Sequence, residues 1–330
     1  MRHRPYIVVI TVIVVLSGLL ASCESLLSAL ELLELEDSPS TQRDDYNCAD
    51  FETQADAQAI FDARAAEGDP YGLDRNGNGI ACESLPLGET GIKVANLGRG
   101  NGSQLKFGNP SRADRSDLNN YLLDKPQYAL SYNCSAGIPN WVAWELTPAW
   151  LGEVDRSNDF RPDPDLPPGC PVVTPTDYRR SGYDRGHMTP SADRTKSPAD
   201  NSATFLMTNM IPQHPANNRE VWRELEEHAR DLVDQGKKLY IIAGVAGSQG
   251  TLNRKVRVPQ YTWKAILVLD SPTITEQTET VAVLIPNTEA VSETNWQDYT
   301  VSIDRIENQT GLDLFSDLPT PLQKVLESRK

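Results

Sequence analysis

The stretch Ser181-Gly182-Tyr183-Asp184-Arg185-Gly186-His187-Met188 sets an imidazole two residues from a guanidinium, with a glycine between them. An imidazole can take a proton at neutral pH and a guanidinium neutralises negative charge, so the pair suits attack on an anionic centre. Gly186 is expected to let the backbone approach a ligand closely. The chain has only four histidines. Of these, His187 alone has neighbours that suggest chemistry, and the residues around it decide how it is read.

Downstream, Met207-Thr208-Asn209-Met210-Ile211-Pro212-Gln213 leads into Asn217-Asn218-Arg219-Glu220. Asn217 and Glu220 have the spacing of a capping box, which predicts a helix over 218–235. Asn218 then falls in the first turn, where an amide oxygen can ligate a cation. Val221, Leu225, Ala229 and Leu232 form the apolar stripe of that helix. At about 100° per residue, Glu226 and Arg230 lie about 40° apart beside the stripe, so both can point into one groove.

Strand-like runs surround this helix at 128–132, 141–146, 205–210, 239–243, 261–269 and 280–285. Strands outnumber helices and do not alternate with them regularly. The expected fold class is therefore α+β, built on a central antiparallel sheet.

Residues 98–330 resemble the DNA/RNA non-specific endonucleases, the sugar-non-specific nucleases related to endonuclease G. The likeness runs through Asn158-Asp159-Phe160-Arg161-Pro162-Asp163, Ser181-Gly182-Tyr183, the Asp184-Arg185-Gly186-His187 signature and Ser191-Ala192-Asp193-Arg194-Thr195. It implies a ββα-metal (His-Me finger) site and magnesium-dependent hydrolysis of DNA and RNA to products with a 5′-phosphate, with manganese as a substitute metal. In that pattern His187 is the general base, Asn218 the magnesium ligand and Glu226 the residue orienting metal-bound water. Arg185, Arg156 and Arg230 are functional arginines, and Asn209 occupies a supporting catalytic position. Tyr183 and Asp184 are assigned structural roles.

The front of the chain reads differently. Arg2 and Arg4 precede an uncharged, largely apolar run from Ile7 to Ala21, too short for a bilayer span of about 20 residues. The run ends Leu20-Ala21-Ser22-Cys23, which resembles a bacterial lipobox. Residues 1–22 are thus read as a lipoprotein signal peptide, Cys23 as the lipidated residue, and 23–45 as an acidic tether to a membrane. The mature protein is expected outside the cytoplasm, membrane-anchored, or secreted if the lipobox is not used.

Removing Cys23 leaves Cys48, Cys82, Cys134 and Cys170, for which the local pairs Cys48–Cys82 and Cys134–Cys170 are expected among three connectivities. Within 46–86, a helix is expected over 53–66. It is followed by Asp74-Arg75-Asn76-Gly77-Asn78-Gly79-Ile80-Ala81-Cys82-Glu83, with oxygen side chains at alternate positions before a glycine. This resembles the excalibur domain, an extracellular calcium-binding module, and implies Asp74, Asn76, Asn78 and Glu83 as calcium ligands. Asn76 and Asn78 stand where the pattern has aspartates, which lowers the ligand charge.

The formal charge of −15 argues against a polyanionic partner only if it is evenly spread. It is not: residues 24–96 hold 16 acids against 4 bases, and the rest of the chain is mildly charged, which leaves room for a cationic groove. A catalytically silent, surface-anchored lipoprotein that binds nucleic acid or calcium is the competing reading. It is disfavoured because His187, Arg185, Asn218 and Glu226 are all present. Neither an inhibitor partner nor an oligomeric state is written in the sequence.

Overall fold

The computed structural model describes residues 46–51, 53–63, 68–86, 92–93 and 103–330. The expected signal peptide, Cys23 and the acidic tether lie outside them, as does the end of the helix expected over 53–66. The described part of that helix is α1 (Gln54–Ala63), and Thr53 Oγ1 accepts the Asp56 N–H at its start. The disulfides are Cys48–Cys82 and Cys134–Cys170.

The strands are β1 (Ile92–Lys93), β2 (Tyr121–Asp124), β3 (Ala129–Asn133), β4 (Ile138–Leu146), β5 (Asp184–His187), β6 (Met210–Gln213), β7 (Lys238–Ala246), β8 (Gly250–Leu252), β9 (Val256–Val258), β10 (Tyr261–Leu269), β11 (Thr273–Ile274) and β12 (Glu279–Pro286). The remaining helices are α2 (Pro198–Ala203), α3 (Trp222–Asp234), α4 (Ile303–Thr310) and α5 (Thr320–Glu327). Six strands form an antiparallel sheet in the order β12-β10-β7-β4-β3-β2. β5 and β6 form a separate antiparallel pair.

The sheet is buried on both faces, which explains why its strands are apolar almost throughout rather than alternating with polar residues. Side chains alternate between the faces along each strand. In β10, Ile266 and Val268 pack with the helix α3 residues Trp222, Leu225 and Ala229. Ala265, Leu267 and Leu269 pack on the other side with Ile303 and Ile306 of α4 and Leu322 and Leu326 of α5. The parity that sends Ile266 towards α3 sends Lys264 the same way, where its ammonium lies 4.2 Å from the Trp222 ring centre.

One expected strand is displaced. The run 205–210 enters as a buried turn, with a 3-10 turn at Met207–Asn209, and extended pairing starts only at Met210. Polar side chains inside the run take backbone partners that a strand would need. Asn209 Nδ2 donates to the carbonyls of Thr204 and Thr189, and Thr208 Oγ1 donates to Asp163. The apolar content of the run reflects burial alone.

Gly244 in β7 is dictated by packing. A Cβ there would stand 2.3 Å from the Trp263 ring and 2.5 Å from the Asn140 carbonyl oxygen. Gly244→Ala is expected to destabilise the protein by about 1–3 kcal/mol through overpacking. Denaturant unfolding of the variant beside the wild type measures this as a lowered midpoint.

Candidate active site

The signature lies on β5, an element too short and too charged to show strand periodicity in the sequence. Its register with β6 pairs Asp184 with Gln213, Arg185 with Pro212, Gly186 with Ile211 and His187 with Met210. Alternation then divides the four residues, with Arg185 and His187 facing one way and Asp184 and Gly186 the other.

On the first face, His187 packs edge-on to Phe205 at 4.8 Å and to Phe160 at 5.6 Å between ring centres. The Arg185 guanidinium lies 4.0 Å over the Phe160 ring and makes no hydrogen bond or ion pair among the described residues. The Arg156 guanidinium sits 4.8 Å from the Phe205 ring centre and donates to Asn158 Oδ1 and Ser191 Oγ. Asn158 holds a left-handed backbone (φ 53°), which asparagine tolerates, and this returns its side chain to Arg156. Two aromatic rings thus shelve one imidazole between two cations.

His187 is only 8% exposed, and its Nε2 is buried with no hydrogen-bond partner among the described residues. Burial, followed by the Arg156 and Arg185 charges, lowers its pKa to about 3. The ring is therefore neutral at physiological pH and carries a lone pair able to accept a proton.

On the second face, the Asp184 carboxylate accepts Asn218 Nδ2 at 2.9 Å and both Arg219 nitrogens, Nε at 2.7 Å and Nη2 at 2.6 Å. A carboxylate accepts only, so it turns the amide nitrogen of Asn218 towards itself and leaves Oδ1 pointing elsewhere. Although burial opposes it, hydrogen bonding from Arg219 and Asn218 keeps the Asp184 pKa below the usual range.

Gly186 serves this face in an unexpected way. A Cβ on Gly186 would stand 2.1 Å from Gln213 Oε1, so the glycine makes room for a cross-strand side chain and not for a ligand. Gln213 Nε2 donates to Asn217 Oδ1, and Asn217 Nδ2 donates to Thr262 Oγ1 and the Pro286 carbonyl. Asn217 is spent on this link between β5–β6 and the main sheet. The capping box expected of Asn217 and Glu220 is accordingly absent: the chain turns through a π-helical segment, Asn217–Val221, before α3. Glu220 instead accepts from Ser292 and the Glu293 N–H.

Helix α3 presents Glu226 and Arg230 beside its buried stripe, as their spacing predicts. Arg230 pairs with Asp193 at 3.0 Å, and Asp193 also accepts the Trp144 indole N–H. Burial raises the Glu226 pKa, with Lys264 opposing it, and burial lowers that of Lys264, with Glu226 opposing it. The charge of Glu226 also acts on Arg156, whose pKa is lowered first by burial. Glu226 thus joins the Arg156–His187–Arg185 group to the Arg230–Asp193 pair. Asn209 stands behind His187, fully buried, with both amide hydrogens and its oxygen engaged by the backbone of Thr189 and Thr204. It shapes the turn after β5 and offers no free hydrogen to a substrate.

Asp193, Ser191, Phe160, Phe205 and Lys264 were not singled out individually from the sequence. A lysine inside the apolar run 261–269 was the one available signal. A cleft of about 520 Å³ lined by Asn109, Arg112 and Asp313 includes none of the site residues, so chemistry and not cavity size marks the site.

In the front unit, Asp74 accepts the N–H groups of Gly77, Asn78 and Gly79, and the amides of Asn76 and Asn78 donate to the two Glu83 oxygens. As arranged the loop is a hydrogen-bonded turn, and Asn76 and Asn78 would have to turn their amides to present oxygens to a cation.

A family model for DNA/RNA non-specific endonucleases matches residues 109–321, and the chain belongs to that family. A nuclease of Nostoc sp. (strain PCC 7120) is 52% identical over 233 residues, covering 68% of this chain and 85% of the relative. The mitochondrial nuclease of Saccharomyces cerevisiae is 31% identical over 226 residues, covering 62% and 68%. The solved structure of an EndoG/EndoGI complex aligns with a TM-score of 0.58 at 27% identity, covering 66% of this chain and 91% of that one. The protein is a non-specific endonuclease of the class that requires a divalent cation, on an endonuclease G-like fold with a mainly antiparallel sheet.

Two outcomes follow for stability. Gly186→Ala is expected to lose about 1–3 kcal/mol, because Gln213 must leave its link to Asn217; chemical denaturation reports it. Since His187 is neutral in the fold and protonates near 6.5 when unfolded, it favours folding fully above pH 6.5 and progressively less towards pH 3. Unfolding of His187→Phe should depend less steeply on pH across that window.

Proposed function

We propose that this chain is an extracytoplasmic, magnesium-dependent endonuclease that hydrolyses DNA and RNA phosphodiesters to 5′-phosphate products. One arrangement carries the reading: the His187 imidazole packs on the Phe160 and Phe205 rings, which also hold the Arg185 and Arg156 guanidinium groups, and Arg185 has no hydrogen-bond or ion-pair partner among the described residues.

In this mechanism the His187 imidazole takes a proton from a water molecule as the water oxygen forms a bond to phosphorus. The bond from phosphorus to the 3′ oxygen breaks in line, leaving the phosphate on the 5′ side. Neutrality matters, because the ring can accept the proton without competing for the phosphate beforehand. Arg185 and Arg156 hold non-bridging oxygens, Arg185 with all its donors free and Arg156 with part of its fork committed to Asn158 and Ser191. Arg230, anchored by Asp193, extends the cationic track, and Glu226 orients water within it. Asn218 Oδ1, left outward by the Asp184 contact, fits a hard cation that needs few protein ligands. Bound there, magnesium, or manganese in its place, supplies Lewis-acid neutralisation of charge on the leaving oxygen. None of these side chains is placed to test a base edge, so recognition is of the sugar-phosphate backbone, in DNA and RNA alike.

The address is part of the same proposal: a signal ending at Ser22, a lipid on Cys23 and an acidic tether would present the enzyme at a membrane surface. The two disulfides support an oxidising compartment. Cys23→Ser should move the protein from the membrane to the soluble fraction of fractionated cells. Unchanged membrane retention would reject the anchor.

Plasmid nicking with magnesium, and with chelator, tests the chemistry. His187→Ala is expected to lower turnover by about 10²–10⁴-fold while far-UV circular dichroism stays unchanged. Wild-type turnover in that variant would reject the base. Because burial and two arginines depress the imidazole, the acid limb assigned to it should lie well below pH 6.5 in a kcat/KM profile. Removing the charge with Arg156→Gln should shift that limb upwards.

A further inference from the structure

On the face of the sheet opposite α3, the C-terminal helices bring three carboxylates together. Asp304 and Glu307 lie one turn apart on α4, and Glu327 ends α5; one oxygen from each falls within 4.8 Å of the others. Glu327 is 94% buried, and its Oε1 is sealed from solvent with no hydrogen-bond partner. The only hydrogen bond given to the group by the described residues comes from the Leu314 N–H to Glu307 Oε1.

Among the described residues, no cation pairs with any of the three. Arg329, two residues beyond Glu327, donates to the carbonyls of Thr278 and Glu276, and Lys324 reaches Glu83. Arg305 is exposed and pairs with none of them. Asp313 adds a fourth negative charge nearby. Burial and this crowding of carboxylates raise Glu307 to about 7 and Glu327 to about 9. A carboxylate driven into such a position needs either a proton or a cation.

We propose that Asp304, Glu307 and Glu327 form a calcium site that clamps α5 to α4. The ligand set is oxygen only, which suits a hard cation and excludes metals that prefer nitrogen or sulfur. Oxygens up to 4.8 Å apart can lie on opposite sides of one ion at calcium distances of about 2.3–2.6 Å, whereas magnesium at about 2.0–2.1 Å would require them to draw in. The partly exposed Asp304 and Glu307 provide the way in, and the buried Glu327 provides the anchor. The clamp would hold in place the helices that cover Leu267 and Leu269, remote from His187 in the packing.

Thermal unfolding and calcium titration calorimetry on the full chain test this, in an Asp74→Ala/Asn218→Ala background so that neither the front loop nor the active site contributes. At pH 8 the expected result is one calcium per chain, a midpoint raised by calcium more than by equal magnesium, and weaker binding at pH 6, where protons compete. Glu327→Gln should weaken calcium binding at least 10-fold and remove the midpoint rise. If that variant fails to fold, Asp304→Asn, at a partly exposed position, should likewise weaken it at least 10-fold. Equal calcium responses in the carboxylate variants and their parent, or no bound calcium at millimolar concentration, would overturn the site and assign the cluster to shared protons.

Discussion

The pairing of Asp184–His187 with Met210–Gln213 constrains the active site more than any single side chain does. Because side chains alternate, this register sends Arg185 and His187 into the aromatic shelf of Phe160 and Phe205 and sends Asp184 and Gly186 towards the start of the α3 segment. A slip of one residue would exchange the two sets, taking the imidazole and Arg185 to the Gln213 side and leaving the carboxylate on the aromatic shelf beside Arg156. The absent side chain at Gly186 lets Gln213 lie across the ribbon, and Gln213 passes the constraint through Asn217 to Thr262 in the main sheet. The catalytic ribbon is thus indexed to the rigid part of the fold by one chain of hydrogen bonds.

The site concentrates positive charge in a protein whose formal net charge is −15. Arg185 lies on an aromatic face with no ion pair among the described residues, Arg156 stacks against another, and Arg230 is anchored by Asp193. Holding the Arg185 guanidinium on the Phe160 ring face leaves its donors without protein partners among the described residues. Burial, joined by the Arg156 and Arg185 charges, keeps His187 unprotonated. In the mechanism we propose, one arrangement therefore serves two ends: it prepares a place for a polyanion, and it sets the protonation state needed to activate water against it.

Much of the architecture was legible in the amino-acid pattern. The long runs at 261–269 and 280–285 became β10 and β12, and the stripe Val221, Leu225, Ala229, Leu232 became the buried side of α3, because burial on a regular element imposes a period on the chain. The Phe205–Met210 run misled for the complementary reason. It is buried but irregular, and buried turns are apolar too when Thr208 and Asn209 satisfy the backbone. β5 carried no period, since four residues with a glycine and three polar side chains cannot show one. Lys264 is deep in β10, and nothing local in the sequence says that the charge of Glu226 acts on it.

The sequence by itself determined the residue types that chemistry needs, the family to which they belong and the antiparallel α+β scaffold, because local spacing and composition are properties of the chain alone. Only the tertiary structure decided that Gly186 yields to Gln213, that Asp184 turns the Asn218 amide, that Asn209 is consumed by backbone contacts, and that His187 is neutral. Each of these depends on which groups meet across a strand or helix boundary and on how much water is left between them, and neither quantity exists until distant segments have packed.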